Sequence, residues 1–207
     1  PFEIGGELSV VEGRRIARLQ CRHTRASQSL VVIAADIVPF ARSVQGGAGL
    51  WRSEAMLEVG DLALRRAVSG DFESVVAIQR AAYARNRELL GVEPLPLLAD
   101  YEQILRDYEV WVTAEGPIAS VLILEPRADD LLIWSISTDP QHQKSGLGRA
   151  MLAAAEVRAR ELDRTTMRLY TGAKLHHLTG WYGRNGYTIE RIEELPDRTI
   201  AHMVKRI

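Results

Sequence analysis

The stretch from Leu131 to Leu162, LLIWSISTDPQHQKSGLGRAMLAAAEVRAREL, constrains the fold more than any other part of the chain. It opens with an apolar run, Leu131 to Ile136, that reads as a buried strand. Asp139-Pro140 ends that run. Gln143-Lys144-Ser145-Gly146-Leu147-Gly148 follows, and then Met151, Leu152, Ala155 and Leu162 recur at helical spacing. The order is strand, glycine-bearing loop, helix. Such a loop brings several backbone N–H groups to a helix N-terminus, where the orphan donors and the positive end of the dipole favour an anion. Gly146 and Gly148 let a ligand approach the backbone with no Cβ in the way. Lys144 and Arg149 add positive charge beside them.

Upstream of this unit the pattern is regular from Met56. Leu62 to Val68 reads as a strand, and Ser69-Gly70-Asp71 as a turn and N-cap. Phe72, Val75, Val76, Gln79 and Tyr83 mark a helix, which the prolines between Gly91 and Pro96 break. Leu97 to Tyr108 reads as a second helix. Val110–Ala114 and Ile118–Leu124 are β-rich runs joined across Glu115-Gly116-Pro117, a hairpin signal. Downstream, Met167 to Thr171 reads as a strand and His176 to Arg184 as a short helix ended by Asn185-Gly186. Tyr187–Ile192 and Thr199–Lys205 read as closing strands around Pro196-Asp197. The pattern predicts a mostly antiparallel sheet in which the two strands flanking the central helix are parallel, joined by a right-handed crossover.

Residues 1–55 differ. They carry Arg14, Arg15, Arg18, Arg22 and Arg25, then an apolar run from Leu30 to Ala41 interrupted by Asp36 and Pro39, then the linker-like Gln45-Gly46-Gly47-Ala48-Gly49. The expectation is an appendage, poorly ordered or upstream of a native start at Met56, followed by one domain over 56–207. A basic-then-apolar order resembles a secretory signal, but the acid inside the apolar part argues against it. A solvated face is the default for the arginine run.

Charge and composition exclude more than they identify. Over 207 residues the formal net charge is −1, which gives no electrostatic case for nucleic acid or an anionic membrane. No apolar run approaches the ~20 residues that span a bilayer. The single cysteine, Cys21, makes no internal disulfide and fits a reducing, cytoplasmic setting. His176-His177 has no clustered partner, so a helix start is expected there and no metal site.

Gln143-x-x-Gly146-x-Gly148 after a strand resembles the acetyl-CoA motif of the GNAT superfamily of N-acetyltransferases, [Q/R]-x-x-G-x-[G/A]. Leu169-Tyr170-Thr171, followed by Trp181-Tyr182-Gly183-Arg184-Asn185-Gly186-Tyr187, resembles that family's later signature. The resemblance spans about residues 60–207. It implies an α/β fold of the α+β type: a mixed, mostly antiparallel sheet with a splayed central parallel pair and helices on both faces. It implies acetyl-CoA as acyl donor, with no metal. Pantetheine would pair with the backbone of Ile136 and Thr138 beside Ser137, and the pyrophosphate would rest on Gln143, Lys144, Ser145, Gly146, Leu147, Gly148 and Arg149. The implied reaction is transfer of acetyl to a primary amine of a small molecule or peptide.

In that reaction the amine attacks the thioester directly and the departing thiolate takes a proton. A thiol has a pKa near ~8.5 and a tyrosine near ~10, so a positioned phenol can donate. Tyr182 matches the family's tyrosine for that role. Glu125, just after the second hairpin strand, is the candidate general base, acting directly or through water. Tyr83 and Tyr101 lie on helices that border the acceptor pocket in the family and are candidate substrate contacts; packing is the plainer reading of both. Relatives often carry Asn four residues before the tyrosine, where this chain has Leu178; a bulkier or polar residue is also expected where it has Gly172. These departures keep a second reading open, an acyl-CoA-binding sensor module that has lost its chemistry. A homodimer is left open.

Overall fold

The computed structural model describes residues 5–11 and 14–20 as backbone and residues 56–207 in full. The chain divides into two units, Pro1–Leu50 and Trp51–Ile207. In the first, β1 (Gly5–Val11) pairs antiparallel with β2 (Arg14–Gln20), Gly5 opposite Gln20 and Val11 opposite Arg14. Sequence reading assigned no strand there. The run from Leu30 to Ala41 and the glycines around Gly47 lie outside the described residues.

The second unit is an eight-stranded sheet in the order β3-β4-β5-β6-β7-β8-β10-β9. Its strands are β3 (Met56–Val59), β4 (Leu62–Arg66), β5 (Glu109–Thr113), β6 (Ser120–Pro126), β7 (Leu131–Thr138), β8 (Thr166–Gly172), β9 (Thr188–Glu194) and β10 (Thr199–Arg206). The helices are α1 (Phe72–Leu90), α2 (Tyr101–Asp107), α3 (Leu147–Glu161) and α4 (His176–Arg184). Every neighbouring pair is antiparallel except β7 with β8, whose crossover is α3.

Local chemistry sets the element ends. Asp100 caps α2 by accepting from the N–H groups of Glu102 (2.9 Å) and Gln103 (3.2 Å). Gly91 ends α1 in the left-handed region at φ 71°, its N–H on the Arg87 carbonyl. Asp71, at the cap position of α1, makes no side-chain cap bond. The Arg65 guanidinium holds its carboxylate at 2.7 and 2.9 Å, and the N–H of Val68 meets it at 2.8 Å. The Arg65 hydrogen bond holds Asp71 below the usual carboxylate range. A charged bidentate partner outcompetes a neutral amide.

Both faces of the sheet are covered, so its central strands read as nearly unbroken apolar runs. On one face α3 packs over Trp111, Leu122, Leu124, Leu131 and Ile133. On the other, α1 and α2 pack over Val110, Val112, Val121 and Ile123. Alternation along β5 and β6 sorts those residues. At ~1.5–3 kcal/mol per fully buried large apolar side chain, these layers are the main stabilising term.

One irregularity positions the site. Along β6 and β7, Ile123 faces Ser135 and Leu124 faces Ile133, so Trp134 is an extra residue on β7, a β-bulge. On its other edge β7 pairs with β8 only at Leu131, Leu132 and Ile133, opposite Met167, Arg168 and Leu169. Parallel pairing therefore stops one residue before the bulge, and the two strands diverge from there to their C-terminal ends.

Candidate active site

The gap between β7 and β8 opens into a cavity of about 510 Å³. Trp134, Ile136 and Thr138 line it from β7, and Tyr170, Thr171 and Gly172 from β8. Tyr83, Asn86 and Leu90 of α1 line it on one face of the sheet, while Trp181 and Tyr182 of α4 and the loop before α3 line it on the other. The cavity thus passes through the sheet.

The loop has the expected anion-binding form. Pro140–His142 makes a single turn, capped by the Asp139 carboxylate on the Gln141 N–H (2.7 Å). Lys144 at φ 64° and Gly146 at φ 93° both sit in the left-handed region and bend the chain into α3. The N–H groups of Arg149 and Ala150 close on the Gly146 carbonyl, each at 3.0 Å. Among the described residues, no backbone carbonyl takes up the N–H groups from Lys144 to Gly148, so they stand as orphan donors at a helix N-terminus. Gln143 Nε2 reaches the Thr138 carbonyl at 3.4 Å, and Ser145 Oγ donates to the His142 carbonyl at 2.6 Å. Gly148 lies against Trp181, whose Cζ2 is 3.4 Å from where a Cβ would stand. Leu147 turns its side chain into the core and offers only its amide.

Tyr182 comes to the cavity from α4, its ring against Trp181 (centroids 4.9 Å apart) and Tyr187 (5.9 Å). Burial pushes its phenol well above the ordinary value, with a smaller push from Tyr83. Tyr83 sits across the gap on α1, its hydroxyl 3.1 Å from Ser135 Oγ, and burial raises its phenol too. Tyr101 does not line the cavity. It is 7% exposed, donates its hydroxyl to the Pro96 carbonyl at 2.9 Å and meets the Trp134 ring edge-on. Ser137 turns its hydroxyl away from the gap to Gln79 Oε1 at 2.7 Å, so only its backbone can serve a ligand there. Glu125 stands outside the lining, with Arg127 Nη2 donating to it at 2.9 Å.

Charge in the cavity has one sign. Arg85, Lys144, Arg149, Arg184 and Arg198 line it, and among the described residues neither Asp nor Glu does. Arg198 also spans elements, with Nη1 on the Glu93 carbonyl at 2.7 Å and its other nitrogens on Asp197. No group of three or more His, Cys, Asp or Glu able to hold a metal occurs among the described residues.

Sequence reading missed two features. The bulge at Trp134 leaves no mark in the residues around it, Ile133-Trp134-Ser135. Gln79 did leave one: an amide four residues before Tyr83, on the stripe shared with Val75, is a polar group placed to be buried.

A mixed sheet split at a bulged central strand, with a loop of free amides at the mouth of the split, is an arrangement with known counterparts. Residues 106–189 match the family described as acetyltransferase (GNAT) domain. That match runs from within α2 to the start of β9 and takes in the loop before α3 and the whole of α4. Three solved structures share the fold. The ribosomal-protein-S18-alanine N-acetyltransferase of Escherichia coli superposes with a TM-score of 0.58 at 19% identity, over 70% of this chain and 92% of that one. PaiA N-acetyltransferase of Thermoplasma acidophilum, in complex with coenzyme A, gives 0.55 at 16%, over 70% and 98%. The IAA acetyltransferase of Bacillus cereus gives 0.53 at 16%, over 70% and 98%. No curated protein matches the sequence.

Proposed function

We propose that this chain is an acetyl-CoA-dependent N-acetyltransferase that acts on a primary amine of a small molecule or peptide. The observation that carries the reading is the end of β7–β8 pairing at Ile133 and Leu169, with free amides at the mouth of the gap that follows. The diphosphate of the donor lies on the Gln143–Arg149 loop, where Lys144 and Arg149 add charge. Its amide-bearing arm runs along the unpaired edge of β7 beside Ile136 and Thr138. The acetyl thioester then sits within the gap, open to an amine arriving from the α1 face.

Attack by the neutral amine on the thioester carbonyl forms a C–N bond and a tetrahedral oxyanion, which needs a hydrogen-bond donor. The C–S bond breaks and the thiolate leaves with the electron pair. Tyr182 donates its proton to that sulfur as the bond breaks. The nitrogen loses its surplus proton to water. Glu125 can take it only at second hand, since its carboxylate is paired with Arg127 outside the lining.

The test is coenzyme A release over a panel of amines. Wild type turns over at least one of them. Tyr182→Phe lowers kcat about 100-fold, the lower end of what a positioned general acid contributes, and leaves the KM for acetyl-CoA in place. Full turnover by Tyr182→Phe removes the general-acid role. Calorimetric acetyl-CoA binding with no transfer to any amine replaces the enzyme with the acyl-CoA sensor.

A further inference from the structure

A second hollow, of about 310 Å³, lies beside the cavity between α3, the end of α4 and β10. Arg149 and Glu156 of α3, Arg184 and Asn185 at the end of α4, and Lys205 of β10 line it. Arg149 and Arg184 also line the main cavity, so the two spaces adjoin at these side chains. The reaction as described gives the second space no role.

Its charge is unbalanced. Glu156 is the one carboxylate in its lining among the described residues. Lys205 Nζ donates to Glu156 Oε1 at 2.6 Å, and Arg160 stands 3.6 Å from Oε2. That acid is therefore spent on two cations. Arg149 and Arg184 pair with no acid among the described residues. Two local features place Arg184. Asn185 Nδ2 donates to the Trp181 carbonyl at 2.8 Å and fastens the end of α4. Gly180, one turn earlier, leaves room for the guanidinium to lie back along the helix, with Nη1 3.5 Å from where a Cβ would stand. Two unpaired guanidiniums at one hollow fit an anion with several oxygens, since each offers a planar fork of donors.

The donor has one such group besides its diphosphate, the ribose 3′-phosphate. A phosphate monoester carries about −1.5 to −2 charges at neutral pH and presents three acceptor oxygens. We propose that the hollow between α3 and α4 seats this 3′-phosphate, with Arg184 as the residue that recognises it and Arg149 shared between it and the diphosphate. This rests on the acetyl-CoA reading above. The loop amides and the edge of β7 meet only groups that a coenzyme A thioester shares with its 3′-dephospho counterpart. The hollow meets the group that differs, so discrimination between the two donors falls to Arg184. Both arginines are exposed, so their attraction for the phosphate is screened by salt.

The experiment is calorimetry on the full chain with acetyl-CoA and with acetyl-3′-dephospho-CoA, at low salt and neutral pH. Wild type is expected to bind acetyl-CoA about tenfold more tightly, the scale of charge-assisted hydrogen bonds made in water. High salt narrows that ratio. Saturating amounts of either donor give wild type the same kcat, because the thioester end is unchanged. Arg184→Gln weakens acetyl-CoA binding severalfold, leaves the dephospho donor where it was and brings the ratio close to one. Arg184→Lys keeps part of the preference. The free variants melt with wild type, since Arg184 is exposed and unpaired. Equal binding of both donors by wild type overturns the proposal. So does a ratio unchanged in Arg184→Gln, or an equal weakening of both donors, which would place Arg184 on the diphosphate. Each of these results leaves the acetyltransferase standing. Failure of wild type to bind either donor overturns both readings.

Discussion

Two glycines at the cleft do different work, and each can be tested alone. Gly146 sits at φ 93° with open space where a Cβ would stand, so its need is conformational. Gly146→Ala places an L-residue in the left-handed region at about 1–2 kcal/mol. The loop relaxes out of its cradle to avoid that cost. Calorimetry is expected to show acetyl-CoA binding about tenfold weaker, while Tyr182, on another element, keeps its environment. Gly172 answers to space. A Cβ there would stand 2.8 Å from Leu90 Cδ2, at the C-terminal end of α1. The residue that sequence reading expected to be bulkier or polar is small because Leu90 occupies that volume. Gly172→Ala pushes the end of one flexible side chain, so the expected loss is modest, about 1 kcal/mol by thermal unfolding. Leu90 and Gly172 both line the cavity, so the amine KM shifts while that for acetyl-CoA does not.

Between elements, a half-buried side-chain tie fastens β5 to α3. Arg158 donates to Glu109 through Nε at 2.8 Å and Nη2 at 2.6 Å, and Arg66 stands 3.6 Å from the same carboxylate. Burial alone raises Glu109, but the Arg158 hydrogen bonds and charge outweigh it, so the group lies below its ordinary 4.5. A depressed carboxylate contributes stability that is fully present above the unfolded value and is lost as pH falls through the folded one. Unfolding free energy is therefore expected to drop as pH falls below about 4.5, and Glu109→Gln flattens that limb. At neutral pH the variant loses about 1–2 kcal/mol, between a surface pair and a fully buried one, read from urea midpoints. This tie was not legible from sequence, because residues 109 and 158 are brought together only by sheet order. The elements themselves were legible: α4 spans His176–Arg184 as its pattern predicts, and the hairpin across Gly116 forms β5 and β6. Short elements without periodicity were not, as β3 and the turn at Leu95–Leu98 show.

At the level of the whole domain, the split sheet couples folding to ligand. The strand–loop–helix order at Leu131–Leu162 made the anion cradle readable, since a glycine loop entering a helix has a single electrostatic outcome. Where the sheet would part was not readable, because Ile133, Trp134 and Ser135 form a run that bulged and regular strands both accept. The parting leaves the edge of β7 beyond Ile133 without strand partners and the loop amides without carbonyls. A ligand that carries both a diphosphate and an amide chain meets them only in the folded state. Binding to the native state alone adds about 2.7 kcal/mol at a ligand concentration of 100 Kd. For a domain of this size each kcal/mol moves the melting temperature by about 2–4 °C. Acetyl-CoA at that excess is therefore expected to raise the melting temperature by roughly 5–11 °C. Adenosine 3′,5′-diphosphate, which lacks both the pyrophosphate and the arm, gives far less, and free pantetheine gives little because it misses the loop. A melting temperature unmoved by acetyl-CoA, measured on the full chain by calorimetry, would mean that the gap between β7 and β8 is not a thioester channel.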